Sequence, residues 1–148
     1  MNSIHDICKR YNITNYTVND DGSIDVNGSV KLSEYKLTEF PLIFNKVTGY
    51  FYCDYSNLTS LKGCPRWVGS TFSCENNDLT SLEFSPDYVG SNFWCRFNKL
   101  TDNYCDTEIV GGFYTSLEQD KLTEYNYNEW RKIHKRKLTL NELYTRHM

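Results

Sequence analysis

Residues 51–70 read FYCDYSNLTSLKGCPRWVGS, and residues 72–91 follow with FSCENNDLTSLEFSPDYVGS, so the two segments match at a spacing of 21 residues. A third copy begins at residue 93 with FWCRFNKLT and runs to residue 112. A period of this length is typical of a solenoid of stacked coils. The columns that keep this spacing are Phe51, Phe72 and Phe93; Cys53, Cys74 and Cys95; Leu37, Leu58, Leu79 and Leu100; Val47, Val68, Val89 and Val110.

Each unit begins with an alternating Phe-x-Cys segment, which predicts a short strand whose first and third side chains face the core. Pro65 and Pro86 exclude a helix on the opposite side of the coil. We expect the side chains of Asn77 and Asn98 to hydrogen-bond the backbone at the turn after the strand, with Ser56 as a weaker substitute.

Degenerate units flank the clear copies, as in other stacks with atypical ends. On the amino-terminal side, residues 30–32 take the place of the Phe-x-Cys strand and residues 37–40 that of the leucine segment. On the carboxyl-terminal side, residues 114–116 begin a further unit that leads to Leu122. We therefore predict a single domain over residues 1–148, with an amino-terminal cap (1–27), a repeat array (28–125) and a basic helical carboxyl-terminal cap (126–148).

The units resemble short leucine-rich repeats, whose consensus is L-x-x-L-x-L-x-x-N-x-L, with phenylalanine and cysteine in place of two leucines. They resemble more closely the repeat proteins encoded by bacteriophages, which carry F-x-C-x-x-N-x-L-T-S-L-x-G-x-P-x-x-V-G units between small caps. Residues 51–112 match this pattern well and the flanks loosely. The resemblance implies a mainly β, leucine-rich-repeat-like solenoid of about four to five short coils with helical caps. It indicates no particular activity, because such scaffolds bind many unrelated partners.

The amino-terminal segment is expected to cover one open end of the stack. Ser3 is placed to cap a first helix, with Asp6 near the positive end of its dipole, and an apolar stripe follows at residues 4, 7, 8 and 11. Residues 13–18 and 23–26 are expected to form strands joined by a turn. The acidic segment 20–25 lacks the ligand order of a calcium loop, which favours a plain hairpin turn.

The last residues, 126–148, have a net charge of +4, which leaves −7 for residues 1–125. We expect Trp130 and Ile133 to face the last repeat from one helix, and residues 139–142 to open a second with a capping box. A solvated basic face is the favoured interpretation; contact with nucleic acid, an acidic partner or an anionic lipid surface is the alternative. The basic residues concerned are Arg131, Lys132, Lys135 and Arg136.

Composition points to a soluble protein of low helix content. The chain has 15 asparagines and no alanine, which disfavours a helical bundle. No apolar run approaches the roughly 20 residues that span a bilayer, and the first residues lack the pattern of a signal peptide. The six cysteines include no CxxC pair, so we expect reduced thiols and a cytoplasmic location, in the host cytoplasm if the chain is phage-encoded.

Catalytic chemistry finds no support in the sequence. The histidines at positions 5, 134 and 147 lie in the terminal segments, away from the repeated cysteines, and no common nucleotide or hydrolase motif occurs. Cys53, Cys74 and Cys95 are expected to pack as a buried column rather than to bind zinc, whereas the exposure of Cys64 and Cys105 stays open. We therefore expect no enzyme activity, no cofactor and no metal site.

Aromatic residues recur at strand positions where the repeat does not require them. They are Tyr52, Tyr55, Trp94 and Phe97, and they are flanked by Asp54, Glu75 and Arg96. Exposed aromatics beside an arginine are typical of an interface hot spot, so we predict that these seven residues bind a partner. Burial under a cap and self-association are the alternatives. Trp67 and Tyr88, on the opposite side of the coil, are expected to pack in the core or on the convex side.

These observations favour a non-catalytic protein-binding module that engages its partner through the strand face. The resemblance to bacteriophage repeat proteins implies that the partner is a host protein, for example a defence component inhibited by occlusion. The alternatives are a nucleic-acid-binding or DNA-mimic protein that acts on a host nuclease, and a virion or assembly subunit that forms homo-oligomers.

Overall fold

The computed structural model describes residues 2–115, which form a β-solenoid of about four turns preceded by one short helix. The mainly β, solenoid architecture predicted from the repeat is confirmed. The predicted carboxyl-terminal cap, with Arg131, Lys132, Lys135 and Arg136, lies outside the described residues.

Each coil contributes one strand to each of two sheets. The front sheet contains the Phe-x-Cys strands and is parallel throughout; in chain order its strands are β3 (Val30–Lys31), β5 (Phe51–Tyr52), β7 (Phe72–Ser73), β9 (Phe93–Trp94) and β11 (Phe113–Tyr114). The back sheet is parallel except for its first pair; its strands are β1 (Tyr16–Val18), β2 (Ile24–Val26), β4 (Phe44–Val47), β6 (Trp67–Val68), β8 (Tyr88–Val89) and β10 (Glu108–Ile109). The prolines at positions 65 and 86 thus precede strands.

The core lies between the two sheets and is built from the repeated columns. Phe51, Phe72 and Phe93 are fully buried, and the ring centroids of successive members are 5.9 and 5.0 Å apart. The cysteine column is buried beside them, as predicted. Because each buried phenylalanine contributes about 2 kcal/mol of hydrophobic free energy, the column is a main source of cohesion between coils.

The helix α1 (Ile4–Arg10) precedes the solenoid. The Ser3 side chain accepts from the Asp6 backbone N–H, and the Asp6 carboxylate accepts from the Ser3 N–H, which completes a capping box. Cys8 is fully buried against the core. No helix in residues 2–115 is long and apolar enough to cross a membrane.

The hairpin that follows α1 joins β1 to β2, as predicted. The Asp21 carboxylate accepts from the backbone N–H of Ser23 at 2.9 Å and from its hydroxyl at 2.6 Å. These local bonds hold the pKa of Asp21 below its ordinary value, the hydroxyl bond being the main cause. The acidic segment is therefore a hydrogen-bonded turn.

The coil that begins at Phe93, called here the third coil because it contains the third clear copy of the repeat, is one residue shorter than the sequence alignment predicts. Ile109, not Val110, pairs with Val89 and is 1% exposed, whereas Val110 is 57% exposed. Phe113 likewise pairs with Phe93, so the spacing has fallen to 20. The strand predicted to begin at residue 114 is therefore wrong by one residue. Because side chains alternate along a strand, this shift turns Phe113 into the core and Tyr114 outward.

Candidate protein-binding face

We call the outward side of the front sheet the front face. Tyr52 pairs in register with Ser73, and Ser73 pairs with Trp94, so the three residues follow one another across the sheet. Two strand spacings separate Tyr52 from Trp94 by about 10 Å at the backbone. We call Tyr52 and Trp94 the two aromatic rungs of this face. Ser73 is small and buried, so a depression lies between them.

Stacked partners enlarge both aromatic rungs. The Tyr52 ring stacks on Tyr50 with centroids 4.1 Å apart, and the Trp94 ring stacks on Tyr114 with centroids 3.8 Å apart. Tyr52 and Trp94 are each half-buried in these stacks. A rigid, partly exposed ring pair offers contact area at a low cost in side-chain entropy.

The next aromatic column has an unusual backbone conformation. Tyr55, Asn76 and Phe97 occupy equivalent positions in successive coils, with φ of 52°, 57° and 61°. Asparagine tolerates this left-handed region, whereas a bulky side chain there costs about 1–2 kcal/mol. Tyr55 is nevertheless 67% exposed and Phe97 58% exposed, so neither ring recovers that cost by deep burial. Strain of this kind is concentrated at functional sites.

The charged column between these aromatics is held by the next coil. One Asp54 oxygen accepts from the Glu75 backbone N–H at 2.9 Å and from the Ser73 hydroxyl. The Glu75 carboxylate in turn accepts from the Arg96 backbone N–H at 3.1 Å and from its guanidinium at 2.7 and 3.3 Å. Burial raises the pKa of Asp54. These predicted interface residues therefore also extend the hydrogen bonding of the front sheet by one step.

Arg96 is itself in contact with two aromatic rings. Its guanidinium carbon lies 4.9 Å from the centroid of Trp94 and 5.5 Å from that of Phe97. The bond to Glu75 is the main cause that raises the pKa of Arg96. The carboxyl-terminal part of the front face is thus a cation held between a carboxylate and two rings.

The back sheet also carries a pair of stacked rings. Trp67 and Tyr88 have ring centroids 5.2 Å apart, and the Lys46 ammonium lies 4.7 Å from the Trp67 centroid. Trp67 is 37% exposed and Tyr88 is half-buried, so they lie on the outer side of this sheet and not in the core. Of the two predicted positions, core or convex side, the structure therefore shows the second, with the two rings packed against each other.

The thiols are structural. All six cysteines are buried and none forms a disulfide bond, which settles the open question about the exposure of Cys64 and Cys105. Each thiol of the repeated column donates to a carbonyl of the following coil, and burial raises their pKa well above the ordinary value. In residues 2–115 no group of three or more His, Cys, Asp or Glu side chains is placed to hold a metal ion.

Three aromatics near these surfaces escaped prediction. Tyr50 precedes its strand and so lies outside the repeated columns, and Tyr114 was assigned inward by the misplaced register. Phe84 occupies the left-handed position that Gly63 fills one coil earlier, with φ of 69°, and is half exposed. Allowing a one-residue gap after Leu100 would have placed Tyr114 correctly.

No family model matches the chain, and no curated protein or solved structure shows significant similarity to it.

Proposed function

We propose that this protein is a non-catalytic binding module that engages another protein through its front face. The observation that carries the proposal is the conformation of Tyr55 and Phe97. Both are aromatic, mostly exposed and placed where the backbone favours glycine or asparagine. Side chains that cost folding free energy and remain more than half exposed are best explained by a contact that they make with a partner.

The arrangement of the face supports the same conclusion. The coil between the two aromatic rungs carries Ser73 and Asn76 in the equivalent positions, so the fold accepts small polar residues there. The aromatics at positions 52, 55, 94 and 97 are therefore additions to the scaffold. Tyrosine and tryptophan are the residue types most enriched in interface hot spots.

The resemblance to bacteriophage repeat proteins extends the proposal to the identity of the partner. A host protein inhibited by occlusion, such as a defence component, fits a small scaffold whose recognition surface is one continuous face.

The test removes the rings by substitutions that the repeat itself supplies. A front-face variant with Tyr52→Ser and Trp94→Ser copies Ser73, and a back-face variant with Trp67→Ser and Tyr88→Ser removes the same number of rings from the other sheet. Proteins captured by the wild type from host cells are identified, purified and titrated against each variant. We expect the front-face variant to bind at least about 100-fold more weakly, since two hot-spot rings contribute about 2 kcal/mol each.

The single substitution Tyr55→Asn separates binding from folding. It places asparagine at a φ that Asn76 adopts in the next coil, so we expect the free energy of unfolding to stay equal or to rise by about 1 kcal/mol. Binding is expected to weaken about tenfold or more. A partner that binds both front-face variants at wild-type affinity and loses only the back-face variant would contradict the proposal.

A further inference from the structure

The amino-terminal part of the front face contains a cleft of about 510 Å³ lined by aromatic rings and charges. Its walls include three tyrosines, two carboxylates and one ammonium group: Tyr50, Tyr52, Tyr55, Glu34, Asp54 and Lys31. A face of aromatic rings beside carboxylates is the environment that favours an organic cation, which is attracted by the ring quadrupoles and by the negative charge.

The other end of the same face shows how such a site is filled. Two repeats separate Tyr52, Asp54 and Tyr55 from Trp94, Arg96 and Phe97, as the strand register confirms for the first pair. In the later coil, the Arg96 guanidinium occupies the space against both rings and is bound by the carboxylate of the preceding coil. In the earlier coil the equivalent residue is an aspartate, so the rings are retained and the intrinsic cation is replaced by an acid.

We propose that this cleft binds an arginine side chain of the partner, which takes the position against Tyr52 and Tyr55 that Arg96 takes against Trp94 and Phe97. The inference rests on the proposed protein-binding function and specifies the chemistry of the partner. Within residues 2–115, both hydrogen bonds to the Asp54 carboxylate end on Oδ1, which leaves Oδ2 for the guanidinium. Arginine is preferred to lysine because a planar guanidinium stacks on rings and donates to a carboxylate at the same time.

Lys31 is the nearby basic residue that competes for the same charges. Its ammonium lies 3.7 Å from a Glu34 carboxylate oxygen, and both side chains are largely exposed. An exposed pair of this kind contributes little free energy, so an incoming guanidinium displaces it easily. In residues 2–115 the cation–ring contacts involve Lys46 and Arg96 and none of the cleft's tyrosines.

The experiment titrates the full chain, carrying ¹³C-labelled tyrosine rings, with N-acetyl-arginine amide and follows the ring signals by NMR. N-acetyl-citrulline amide is the matched control because it has nearly the same shape and no charge, and N-acetyl-lysine amide tests the preference for a guanidinium. We expect saturable shifts of the Tyr52 and Tyr55 rings with arginine in the millimolar range, and binding about tenfold weaker with citrulline.

Two variants assign the binding to the cleft. Asp54→Asn keeps the Oδ1 acceptor for the Glu75 N–H and removes the charge, and Tyr55→Asn removes one ring; each is expected to weaken arginine binding several-fold. Glu34→Gln removes the other carboxylate of the cleft at an exposed position outside the sheet, and it too is expected to weaken arginine binding. Equal shifts with citrulline, tighter binding of lysine, or arginine binding unaffected by Tyr55→Asn would each overturn the inference. If arginine fails to bind while the front-face variant still loses the captured partner, the inference is wrong and the proposed function stands.

Discussion

At the scale of single residues, the asparagine of each unit joins neighbouring coils. The Asn77 side-chain N–H₂ donates to the carbonyls of Cys53, Cys74 and Glu75 at 2.9, 3.0 and 3.2 Å, and its Oδ1 accepts from the Leu58 N–H at 3.0 Å. Asn98 repeats all four of these bonds one coil later. Because the backbone groups concerned lie away from solvent, the amide satisfies polar groups that water does not reach.

We predict that Asn77→Ala lowers the free energy of unfolding by about 3 kcal/mol, because it leaves buried N–H and C=O groups without a partner. Urea denaturation measures this loss. The matched change is Ser56→Asn, which restores the repeat's residue at a position where the serine hydroxyl makes a long bond of 3.5 Å to the Asp54 carbonyl. It is expected to raise the free energy of unfolding by about 1 kcal/mol. A loss below about 1 kcal/mol for Asn77→Ala would contradict this account.

The role of this asparagine was predictable, whereas the burial of Cys64 was not. An amide at a fixed distance after a strand has few groups to bond except the local backbone. Cys64 lies between turn and strand, where no alternation indicates its direction. Its buried thiol donates to the Phe84 carbonyl one coil away at 3.0 Å, and Arg66 of the same coil donates to the Cys64 sulfur at 3.3 Å. The contact with the next coil is not visible in the local sequence.

At the scale of elements, the turn from the back sheet to the front sheet sets how closely coils stack. A Cβ on Gly90 would lie 2.1 Å from the Gly69 carbonyl oxygen, and one on Gly69 would lie 2.1 Å from that of Thr48. The Gly90 N–H also donates to the Val68 carbonyl of the preceding coil at 2.8 Å. Backbone therefore packs on backbone at this corner, and the glycines permit the approach.

We predict that Gly90→Ala lowers the free energy of unfolding by at least about 2 kcal/mol, since the clash is with main chain and the coils must separate. The adjacent Ser91→Ala is the control: it keeps the backbone and is expected to change stability by less than about 0.5 kcal/mol. Thermal and urea unfolding of both variants measure the difference. Similar stability of the two variants would show that the corner accommodates a methyl group without displacement of the coils.

The two-residue strands explain which elements the sequence predicts and which it does not. The front strands are recognisable because Phe-x-Cys alternates with the 21-residue period. The back strands are as short as Trp67–Val68, so a single inward residue provides no alternation to read. The sequence does not reveal the shortened third coil for a related reason. Val110 matches the valine column by residue type, and only the pairing with the neighbouring coil shows that Ile109 is the inward residue.

At the scale of the whole molecule, the sequence predicts the location of the front face better than its chemistry. The aromatic columns at Tyr52 and Trp94 follow from the register alone. The hydrogen bonds among Asp54, Glu75 and Arg96 do not follow from the register. Each bond joins residues about one repeat apart, so its geometry depends on how the coils stack. The similarity between the cleft beside Tyr52 and Tyr55 and the surroundings of Arg96 becomes visible only in the structure.

The buried thiols link the stability of the entire solenoid to alkaline pH. Burial raises the pKa of Cys64 from 9.0 to about 12, with the Arg66 guanidinium opposing this rise. Below about pH 9 the thiol is protonated in both the folded and the unfolded chain, so its contribution to stability is complete. Between about pH 9 and 12 the unfolded chain loses the proton and the folded chain keeps it, so stability falls as the pH rises.

We therefore predict that the free energy of unfolding decreases from about pH 9 upward, by at most about 1.4 kcal/mol per pH unit for each such thiol. Urea denaturation under reducing conditions, at several values from about pH 8 to 11, measures the slope. Cys64→Ala lowers stability at every pH by removing packing and hydrogen bonds, but its alkaline slope is expected to be shallower than that of the wild type. Because ionisation of the tyrosines is common to both proteins, the difference between the two slopes reports Cys64 together with its charge coupling to the buried Cys53 and Cys74 thiols. Identical slopes would show that the Cys64 thiol ionises equally in the folded and unfolded chains.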